Sequence, residues 1–455
     1  MSAALYRLFY HIAAVAMRWY YRAVEFEGTE RIPQRGPLLL VVNHPNELID
    51  ALCAGLAAKR RLTFTGKATL FANPLAARFL RTIGVVPLRR AKDEAAVDPA
   101  AAADPRRNAE AFAALREALG AGEAALIFPE GISWDTPHLA PLRTGAARIA
   151  LSARDDAGVR GLRIIPVGIN YERKDGARSR VLVEVGEPLD VDAFAGDVDA
   201  LTDELSRRLW AVTLNFDDEA AAGEVLDVAT VLASVTDTVR PLGDEAPIAA
   251  MVATARRADA IRRRIAAGAL PPETVERVRR VQRRLVALRR AAGRLGIRLD
   301  DVALDTSLPS ASRFAVRELV LTALGAPLAV WGRINHWLPF ALARRLGTAG
   351  VTTRTEPVTR TIVVGLVLVP LFYALQTGLV WRLAGGWWAL GYAASLVPSA
   401  SWDLAFTERL RRMRIRARAW AVFREDPALQ TKLRDELLAL RDEARSFATS
   451  LEHAG

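Results

Sequence analysis

Short runs of apolar residues alternate with helical patterns from residue 25 to residue 190. Four of these runs lie at 37–42, 124–128, 163–168 and 181–185. A run that is apolar at every position is typical of a strand buried on both faces, and the helical patterns between the runs supply the crossovers that parallel strands require. We therefore predict an α/β domain with a largely parallel sheet over residues 25–200.

A charged helical pattern replaces these runs over residues 201–310. Within it, four apolar residues form a heptad-like seam surrounded by arginines: Val278, Val281, Leu285 and Leu288. The pair Pro271-Pro272 separates this helix from an earlier Arg-rich one, because proline interrupts a helix. The pattern predicts a charged helical region that contains an antiparallel hairpin of two helices.

Two uncharged stretches within residues 351–408 carry the strongest membrane signal. Residues 361–381 are rich in Val and Leu, and about 20 such residues cross the ~30 Å hydrocarbon core of a bilayer. Arg382 and the glycine pair at 385–386 interrupt the pattern before residues 387–402 continue without charge. Tryptophans near the ends of both stretches fit interfacial aromatic belts. We predict a two-span transmembrane hairpin.

Arginines flank this hairpin on both outer sides. Arg354 and Arg360 precede it, and Arg409 and Arg411 open a tail over 409–455 that is basic at first and then amphipathic. By the positive-inside rule both ends lie in the cytoplasm, so the α/β domain is expected on the cytoplasmic side of an integral membrane protein. The alternative is a buried helical hairpin of a soluble domain.

Two other apolar segments predict contact with the membrane surface. Residues 311–350 are apolar but interrupted by polar residues and proline, and we interpret them as interfacial or re-entrant: Pro327, Arg333, Asn335 and His336. Residues 1–24 repeat apolar side chains at helical spacing, which predicts an amphipathic helix in the interface. A first helix of the soluble core is the alternative. A secretory signal is rejected, because no cleavage site follows an unbroken apolar core.

The net charge of +11 is concentrated in one segment. Residues 251–300 contain fourteen arginines and four acidic residues. Such a segment suits nucleic acid, anionic lipid or water, but it contains no aromatic side chain on which bases could stack. We therefore expect anionic headgroups and no nucleic acid as its partner. The single cysteine, Cys53, excludes an internal disulfide framework and a cysteine-based zinc site.

The first candidate for chemistry is the segment from Asn43 to Asp50, at the end of a predicted strand and the start of a helix. A histidine at the helix entrance and a carboxylate in the first turns can meet, so that Asp50 accepts from one ring nitrogen of His44. The other nitrogen is then available as a general base. A histidine after a strand is more often structural, so this pair gains weight only from further signals.

An anion-binding turn and three cations accompany this pair. Residues 128–133, with the sequence Phe-Pro-Glu-Gly-Ile-Ser, follow another strand and can direct backbone N–H groups and a hydroxyl at an anion. Three basic residues that suit a phosphate follow short apolar elements: Lys67, Arg90 and Arg143. Each of them alone is typical of a surface charge. The information lies in the ordered set, which spans about 100 residues.

This set resembles the glycerolipid acyltransferase superfamily over roughly residues 20–190. The four blocks of the family have counterparts in order. His44 and Asp50 match the catalytic block, and Gly84 to Arg90 match the block that ends in a phosphate-binding arginine, with Lys67 matching a lysine between these two blocks. Residues 128–133 match the Phe-Pro-Glu-Gly-x-Ser block, and Ile165-Pro166-Val167 match the hydrophobic strand with proline. One spacing differs from the family pattern: five residues separate His44 from Asp50, whereas the family has four between its histidine and aspartate. This form resembles a subgroup that includes fungal enzymes acylating glycerol-3-phosphate and dihydroxyacetone phosphate.

The resemblance implies a membrane enzyme that moves a fatty acyl group from acyl-CoA or acyl carrier protein to glycerol-3-phosphate or 1-acylglycerol-3-phosphate. The product is then lysophosphatidic or phosphatidic acid. His44 and Asp50 are the implied catalytic pair, and the implied substrate contacts are Lys67, Arg90, Glu130, Gly131, Ser133 and Arg143. No metal, cofactor or acyl-enzyme is required. The alternatives are dihydroxyacetone phosphate or a lysophospholipid as acceptor, and an inactive lipid-binding scaffold; acyl-chain length and oligomeric state stay open.

Overall fold

A computed structural model describes residues 3–89, 108–133, 136–174, 176–236, 246–304, 306–350 and 356–452. The chain divides into two compact units. The first comprises Met1–Asp217 with Gly347–Ile362, and the second comprises Asp218–Leu346 with Val363–Gly455. The first unit contains a β-sheet with its helices, whereas the described residues of the second form helices and their connections.

Eight strands form one sheet in the described part of the first unit: β1 (Ala23–Glu27), β2 (Leu38–Val42), β3 (Leu62–Lys67), β4 (Val85–Leu88), β5 (Ala124–Ile127), β6 (Arg163–Tyr171), β7 (Arg180–Val185) and β8 (Leu189–Asp190). Their order is β1-β7-β6-β2-β5-β3-β4, with β8 beside β6. Pairs are parallel except those of β6 with β7 and β8. The predicted largely parallel sheet is confirmed, and all four predicted strands are present.

Six helices accompany the sheet in the same described part: α1 (Ala3–Tyr20), α2 (Glu47–Ala58), α3 (Pro74–Thr82), α4 (Ala109–Gly120), α5 (Gly145–Asp155) and α6 (Val198–Val212). Side chains of α4, α5 and α6 pack in one core with Leu39 and Val41 of β2. The alternate residues of β2 face the other side and are buried as well. Burial of each such side chain contributes about 1.5–3 kcal/mol, which explains why this strand is apolar throughout.

Helix α6 lies directly against β6. A Cβ atom at Gly168 would be 1.9 Å from the carbonyl oxygen of Val212, so the approach requires glycine. The side chain of Asn170 secures the same contact, donating to the Val212 carbonyl at 3.0 Å and accepting from the backbone N–H of Leu214 at 2.9 Å. These contacts fix the end of β6 beside the segment that leaves α6.

The carboxyl ends of β2, β5 and β3 lie side by side, because these strands are adjacent and parallel. His44 follows β2 by two residues, Phe128 directly follows β5, and Lys67 ends β3. Open α/β sheets bind ligands outside the carboxyl ends of their strands. The topology therefore brings three of the candidate segments to one edge of the sheet.

Seven long helices lie wholly or mainly in the second unit, among its described residues: α7 (Glu219–Thr236), α8 (Ile248–Ala266), α9 (Pro272–Leu295), α10 (Leu308–Thr348), α11 (Glu356–Ala384), α12 (Gly386–Glu425) and α13 (Pro427–Glu452). The predicted seam on α9 is buried at Leu285 and Leu288. It packs with Phe423 of α12 and Leu437 of α13, while α8 packs along α7. The main packing partners of α8 and α9 are thus other helices, and the hairpin of these two helices stays a prediction.

Several arginines of the basic segment are paired within the second unit. Arg284 donates to Glu436 at 2.6 Å and to Glu443 at 2.9 Å, which ties α9 to α13. Arg289 pairs with Asp227 of α7. These carboxylates neutralise part of the charge that the composition assigns to residues 251–300. Docking of the segment on anionic headgroups stays a prediction. The segment has fewer unpaired cations for such docking than its sequence suggests.

Two helices, Leu308–Thr348 and Pro357–Ala384, are long and apolar enough to cross a membrane. They correspond to α10 and nearly all of α11. A pair of apolar helices therefore follows the charged helical region, but α10 covers the segment predicted to be interfacial or re-entrant, and among the described residues only the first stretch of the predicted hairpin lies in a helix of this kind. Residues 387–402, the second stretch of the predicted hairpin, begin α12 after a break at Gly385. Helix α12 then continues into its Arg-rich half. The number of membrane crossings and their sidedness stay predictions.

The polar residues that interrupt residues 311–350 do not end the helix, which is continuous through them. Each of three has a partner on another helix: Arg333 pairs with Asp403, Asn335 accepts from Tyr392, and His336 bonds with Tyr373. Gly332 permits a close crossing, because a Cβ atom there would be 2.2 Å from the Ser399 carbonyl oxygen. Polar groups in apolar surroundings are costly unless they are paired, and these are paired.

Candidate active site

His44 and Asp50 are in contact, as their spacing predicts. His44 lies in the loop between β2 and α2, and Asp50 lies in the first turn of α2. Nδ1 of His44 is 3.0 Å from Oδ2 of Asp50, and the two residues are 7% and 0% exposed. Because an ionised carboxylate only accepts hydrogen bonds, this contact places the proton on Nδ1 and leaves Nε2 as the basic nitrogen.

Two further donors hold the carboxylate of Asp50. The backbone N–H of Asn46 donates to Oδ2 at 2.7 Å, and the hydroxyl of Tyr171 donates to Oδ1 at 2.6 Å. The turn that directs this N–H at the carboxylate is followed by Glu47 with φ of 46°, a region that non-glycine residues rarely adopt. The departure in His–Asp spacing therefore does not separate the pair.

The Phe-Pro-Glu-Gly segment supports His44 from two directions. The ring of Phe128 stacks on the imidazole with a centroid distance of 3.8 Å and an interplanar angle of 16°. The carboxylate of Glu130 accepts from the backbone N–H of His44 at 2.7 Å and from that of Ala140 at 2.9 Å. Burial raises the pKa of Glu130, although these two N–H groups act in the opposite direction.

The structure gives the side chain of Glu130 a role that its sequence motif did not predict. Both carboxylate oxygens are bound by main-chain donors, and the residue is buried. A negative charge in this place would also repel a phosphate. Glu130 therefore positions the loop that carries His44, and a direct contact between its carboxylate and the substrate stays a prediction.

Gly131, Ser133 and Arg143 lie beside this loop. Gly131 has φ of 73°, and a Cβ atom there would be 2.8 Å from both Cδ and Nε of Arg143, so the arginine side chain lies across the glycine. The backbone N–H of Glu47 donates to the Ser133 hydroxyl at 3.4 Å, which links this turn to the start of α2. Arg143 is exposed, and its guanidinium forms no hydrogen bond or ion pair with the described residues.

The other two predicted cations differ in what the structure shows of them. Lys67 is half-buried at the end of β3, on the same edge of the sheet as His44. Arg90 lies outside the described residues. Its neighbour Arg89 is held through its main chain, because the side chain of Asn108 accepts from its N–H at 2.9 Å and donates to its carbonyl at 3.0 Å. This pair of bonds fixes the exit of β4.

Sequence reasoning missed Tyr171, Phe128 and Asn46 as partners of the His–Asp pair. Asn170 and Tyr171 are polar residues at the end of the otherwise apolar strand β6, and this was the available signal. Tyr171 is 121 positions from Asp50, so their contact depends on β6 lying next to β2.

A buried imidazole with one nitrogen held by a carboxylate and the other unoccupied defines a general-base site. The geometry is that of the His–Asp part of a serine hydrolase triad. In the described residues no serine or cysteine side chain bonds to Nε2 of His44. A hydroxyl supplied by a substrate is therefore the group that this base can activate.

Comparison with known proteins identifies the domain. Residues 23–170 match the protein family described as Acyltransferase. Glycerol-3-phosphate O-acyltransferase 2 of Saccharomyces cerevisiae is 30% identical over 159 residues, which cover 33% of this chain and 20% of the yeast protein. Glycerol-3-phosphate O-acyltransferase 1 of the same yeast is 34% identical over 103 residues, covering 20% of this chain and 14% of the relative. Residues 23–170 therefore match an acyltransferase domain, and the named relatives support the resemblance to the glycerolipid acyltransferase superfamily that the sequence blocks carry.

These matches concern the sheet domain. The chain spans about a fifth of the length of the first yeast enzyme and less of the second. Among solved structures, the 1-acyl-sn-glycerophosphate acyltransferase PlsC from Thermotoga maritima is similar with 21% identity and a TM-score of 0.34, covering 44% of this chain and 77% of that one.

Proposed function

We propose that this protein transfers a fatty acyl group from an acyl thioester, acyl-CoA or acyl carrier protein, to a hydroxyl of glycerol-3-phosphate. The observation that carries the proposal is the His44–Asp50 contact within a domain of the acyltransferase family. Glycerol-3-phosphate is favoured over 1-acylglycerol-3-phosphate because the two yeast relatives are named for it. Dihydroxyacetone phosphate is the acceptor that must be distinguished from it by experiment.

The reaction is a direct transfer in two steps. Nε2 of His44 takes the proton of the acceptor hydroxyl while its oxygen attacks the thioester carbonyl. The carbon–sulfur bond of the tetrahedral intermediate then breaks, and the imidazolium returns its proton to the leaving thiolate. Asp50 stabilises the imidazolium and keeps Nδ1 protonated. The products are an ester and a free thiol, and no acyl-enzyme is formed.

The acceptor phosphate is expected outside the carboxyl ends of the strands. Arg143, with its side chain over Gly131 and no partner among the described residues, is suited to bind it. Lys67 is the last residue of β3, at the carboxyl ends of the strands. Arg90 follows Arg89, whose main chain is bound by Asn108 after the end of β4. Such cations act mostly by orientation, holding the hydroxyl near Nε2.

Membrane attachment fits this chemistry, because an acylated product carries about 0.8 kcal/mol of transfer free energy for each buried methylene. The apolar helices α10 and α11 support attachment. We propose that the sheet domain lies on the cytoplasmic side, since Arg360 and Arg414 flank the uncharged segments. Cysteines introduced at these two positions and at the exposed Arg35 of the sheet domain, in a Cys53→Ser background, should all react with an impermeant reagent from the cytoplasmic side of sealed vesicles. Labelling from opposite sides would contradict this placement.

An acceptor panel tests the function. Membranes that contain the protein are incubated with acyl-CoA or acyl-acyl carrier protein and with one of four acceptors: glycerol-3-phosphate, dihydroxyacetone phosphate, 1-acylglycerol-3-phosphate or neutral monoacylglycerol. Membranes without the protein serve as the control. We expect the highest kcat/KM with glycerol-3-phosphate. Equal use of the neutral acceptor would contradict a phosphate-binding site. Activity with none of the acceptors, from either thioester, would favour the lipid-binding scaffold.

A further inference from the structure

The hydroxyl of Tyr171 completes the hydrogen bonding of the buried carboxylate in the His–Asp pair. Tyr171 is the last residue of β6 and is buried, and its hydroxyl lies 2.6 Å from Oδ1 of Asp50. The other oxygen, Oδ2, is bound by His44 Nδ1 and the Asn46 N–H. Tyr171 thus provides the one described bond to Oδ1, and nothing else in the described residues replaces it.

The surroundings of Asp50 supply little other compensation for its charge. Titratable groups face it from five segments: His44 after β2, Cys53 on α2, Tyr21 after α1, Glu130 after β5, and Tyr171 itself. Burial raises the pKa of Tyr21, Cys53 and Tyr171 well above their ordinary values, so all three are neutral near pH 7. Among the described residues, His44 is the only ion-pair partner of Asp50.

We propose that Tyr171 is a positioning residue of the acyl-transfer site, which keeps Asp50 ionised and oriented through the bond to Oδ1 and thereby sets the basicity of His44. The position of Tyr171 supports this role. β6 pairs with β2, the strand that leads to His44, and the two bonds of Asn170 fix the end of β6. The hydroxyl is therefore held against Asp50 by the sheet itself.

The direction of the expected pH effect follows from charge. With His44 neutral the buried pair carries one negative charge, and with His44 protonated its net charge is zero. A hydrogen bond to the carboxylate stabilises the first state more than the second. Loss of the Tyr171 hydroxyl therefore favours protonation of the pair, and the protonation midpoint moves to higher pH. The acid limb of the pH–rate profile moves in the same direction.

Tyr171→Phe in the full-length protein tests the kinetic part, which rests on the proposed function. A bond to a charged group supports an expected loss of tenfold or more in kcat, with little change in KM for either substrate. Tyr21→Phe is the matched control. Its ring lies beside that of Tyr171 at 6.0 Å, but its hydroxyl accepts from the Asn46 amide and does not bind Asp50. In an Asp50→Asn background, Tyr171→Phe should lower kcat less than threefold, because the carboxylate through which Tyr171 acts on His44 is already absent.

A titration by NMR tests the same claim without turnover. Protein with 13C-labelled histidine is titrated in detergent, and the His44 resonance is assigned by its loss in His44→Gln. We expect the His44 midpoint to rise in Tyr171→Phe and to stay in place in Tyr21→Phe. An unmoved midpoint in a folded Tyr171→Phe protein would overturn the inference, whether or not the wild type transfers acyl groups. Equal shifts in both variants would also overturn it, because they would indicate a general packing effect.

Discussion

Two buried histidines, one in each unit, use the same ring in different ways. His336 on α10 has both nitrogens occupied, with Nδ1 2.7 Å from the Gly332 carbonyl oxygen and Nε2 2.6 Å from the Tyr373 hydroxyl. His44 has Nδ1 on a carboxylate and no described partner on Nε2. Burial is similar, so burial does not distinguish them. The unoccupied nitrogen does, because a base must be able to receive a proton from a substrate.

Two buried aspartates extend this comparison. Asp403 on α12 accepts two bonds from the guanidinium of Arg333, at 2.8 and 2.9 Å, so its charge is matched by a neighbouring helix. Asp50 is bound by a histidine, a tyrosine and a main-chain N–H, with no arginine or lysine among its described partners. The first arrangement joins helices. The second keeps a negative charge next to an imidazole that becomes positive in the proposed reaction.

The largest difference is expected between Asp50→Asn and Asp403→Asn. An amide at position 50 can donate to Nδ1 and so favours the wrong tautomer of His44, which should lower kcat by about 10²–10⁴-fold. Asp403→Asn should leave kcat within a few-fold and lower the melting temperature, because Arg333 loses its counter-ion. Acyl transfer and thermal unfolding of both variants check this. Comparable activity losses would show that the two aspartates do not differ as described.

Glu130→Gln is expected to cost about tenfold in kcat. The amide oxygen accepts from one of the two N–H groups that Glu130 now binds, so the His44 loop or Ala140 loses a partner and His44 moves. KM for the acceptor should change little, since both carboxylate oxygens of Glu130 are bound by main-chain N–H groups. Glu123→Gln, an exposed-surface change ahead of β5, is the control. A rise in the acceptor KM at constant kcat would restore the substrate-contact role.

Arg143→Ala should weaken kcat/KM for the acceptor phosphate by about tenfold and leave KM for the acyl thioester nearly unchanged. Arg148→Ala provides the control, because Arg148 is also exposed and lies one turn further along, where it bonds to Thr144. Equal effects of the two substitutions on the acceptor would indicate general attraction by positive charge. A larger effect of Arg148→Ala would contradict the assignment.

The smallest effect on activity is expected from His336→Phe. Removal of the imidazole leaves the Tyr373 hydroxyl without this partner, which should cost about 1–3 kcal/mol of stability in the second unit. Acyl transfer should stay within twofold at a temperature where the protein is folded. Unfolding in detergent and activity in membranes are measured together, with the exposed Ile334→Val on the same helix as control. A loss of activity near that of Asp50→Asn would end the distinction between the two histidines.

Much of the sheet could be predicted because its central strands are apolar at every position. β2 and β5 are buried along their whole length, so their sequences contain little else. β3 and β4 were harder to predict, because Thr63, Thr65 and Pro87 interrupt their apolar runs. These two strands are the last in the strand order on one side of the sheet. The antiparallel course of β7 was also not predictable, because its apolar run is like those of the parallel strands.

In the candidate site, the contacts between residues close in sequence could be predicted, and those between distant residues could not. The His44–Asp50 contact joins residues six positions apart, so helix geometry and spacing were enough to predict it. The bonds of Glu130 and Tyr171 join residues 86 and 121 positions apart and depend on strand order. A substrate role for Glu130 is what the resemblance of its Phe-Pro-Glu-Gly-x-Ser block implies. The direction of its carboxylate, inward to the His44 main chain, is set by the tertiary fold.

The central claim is that Nε2 of His44 takes the proton of a phosphate-bearing acceptor during acyl transfer. The most direct measurement compares wild-type and His44→Ala membranes for the transfer of a labelled acyl group from acyl-CoA to glycerol-3-phosphate, with the exposed His11→Ala as the matched control. We expect lysophosphatidic acid from the wild type and from His11→Ala, with one thiol released per ester formed. We expect the rate to fall about 10²–10⁴-fold in a folded, membrane-retained His44→Ala protein. Near-normal transfer by that variant would contradict the account.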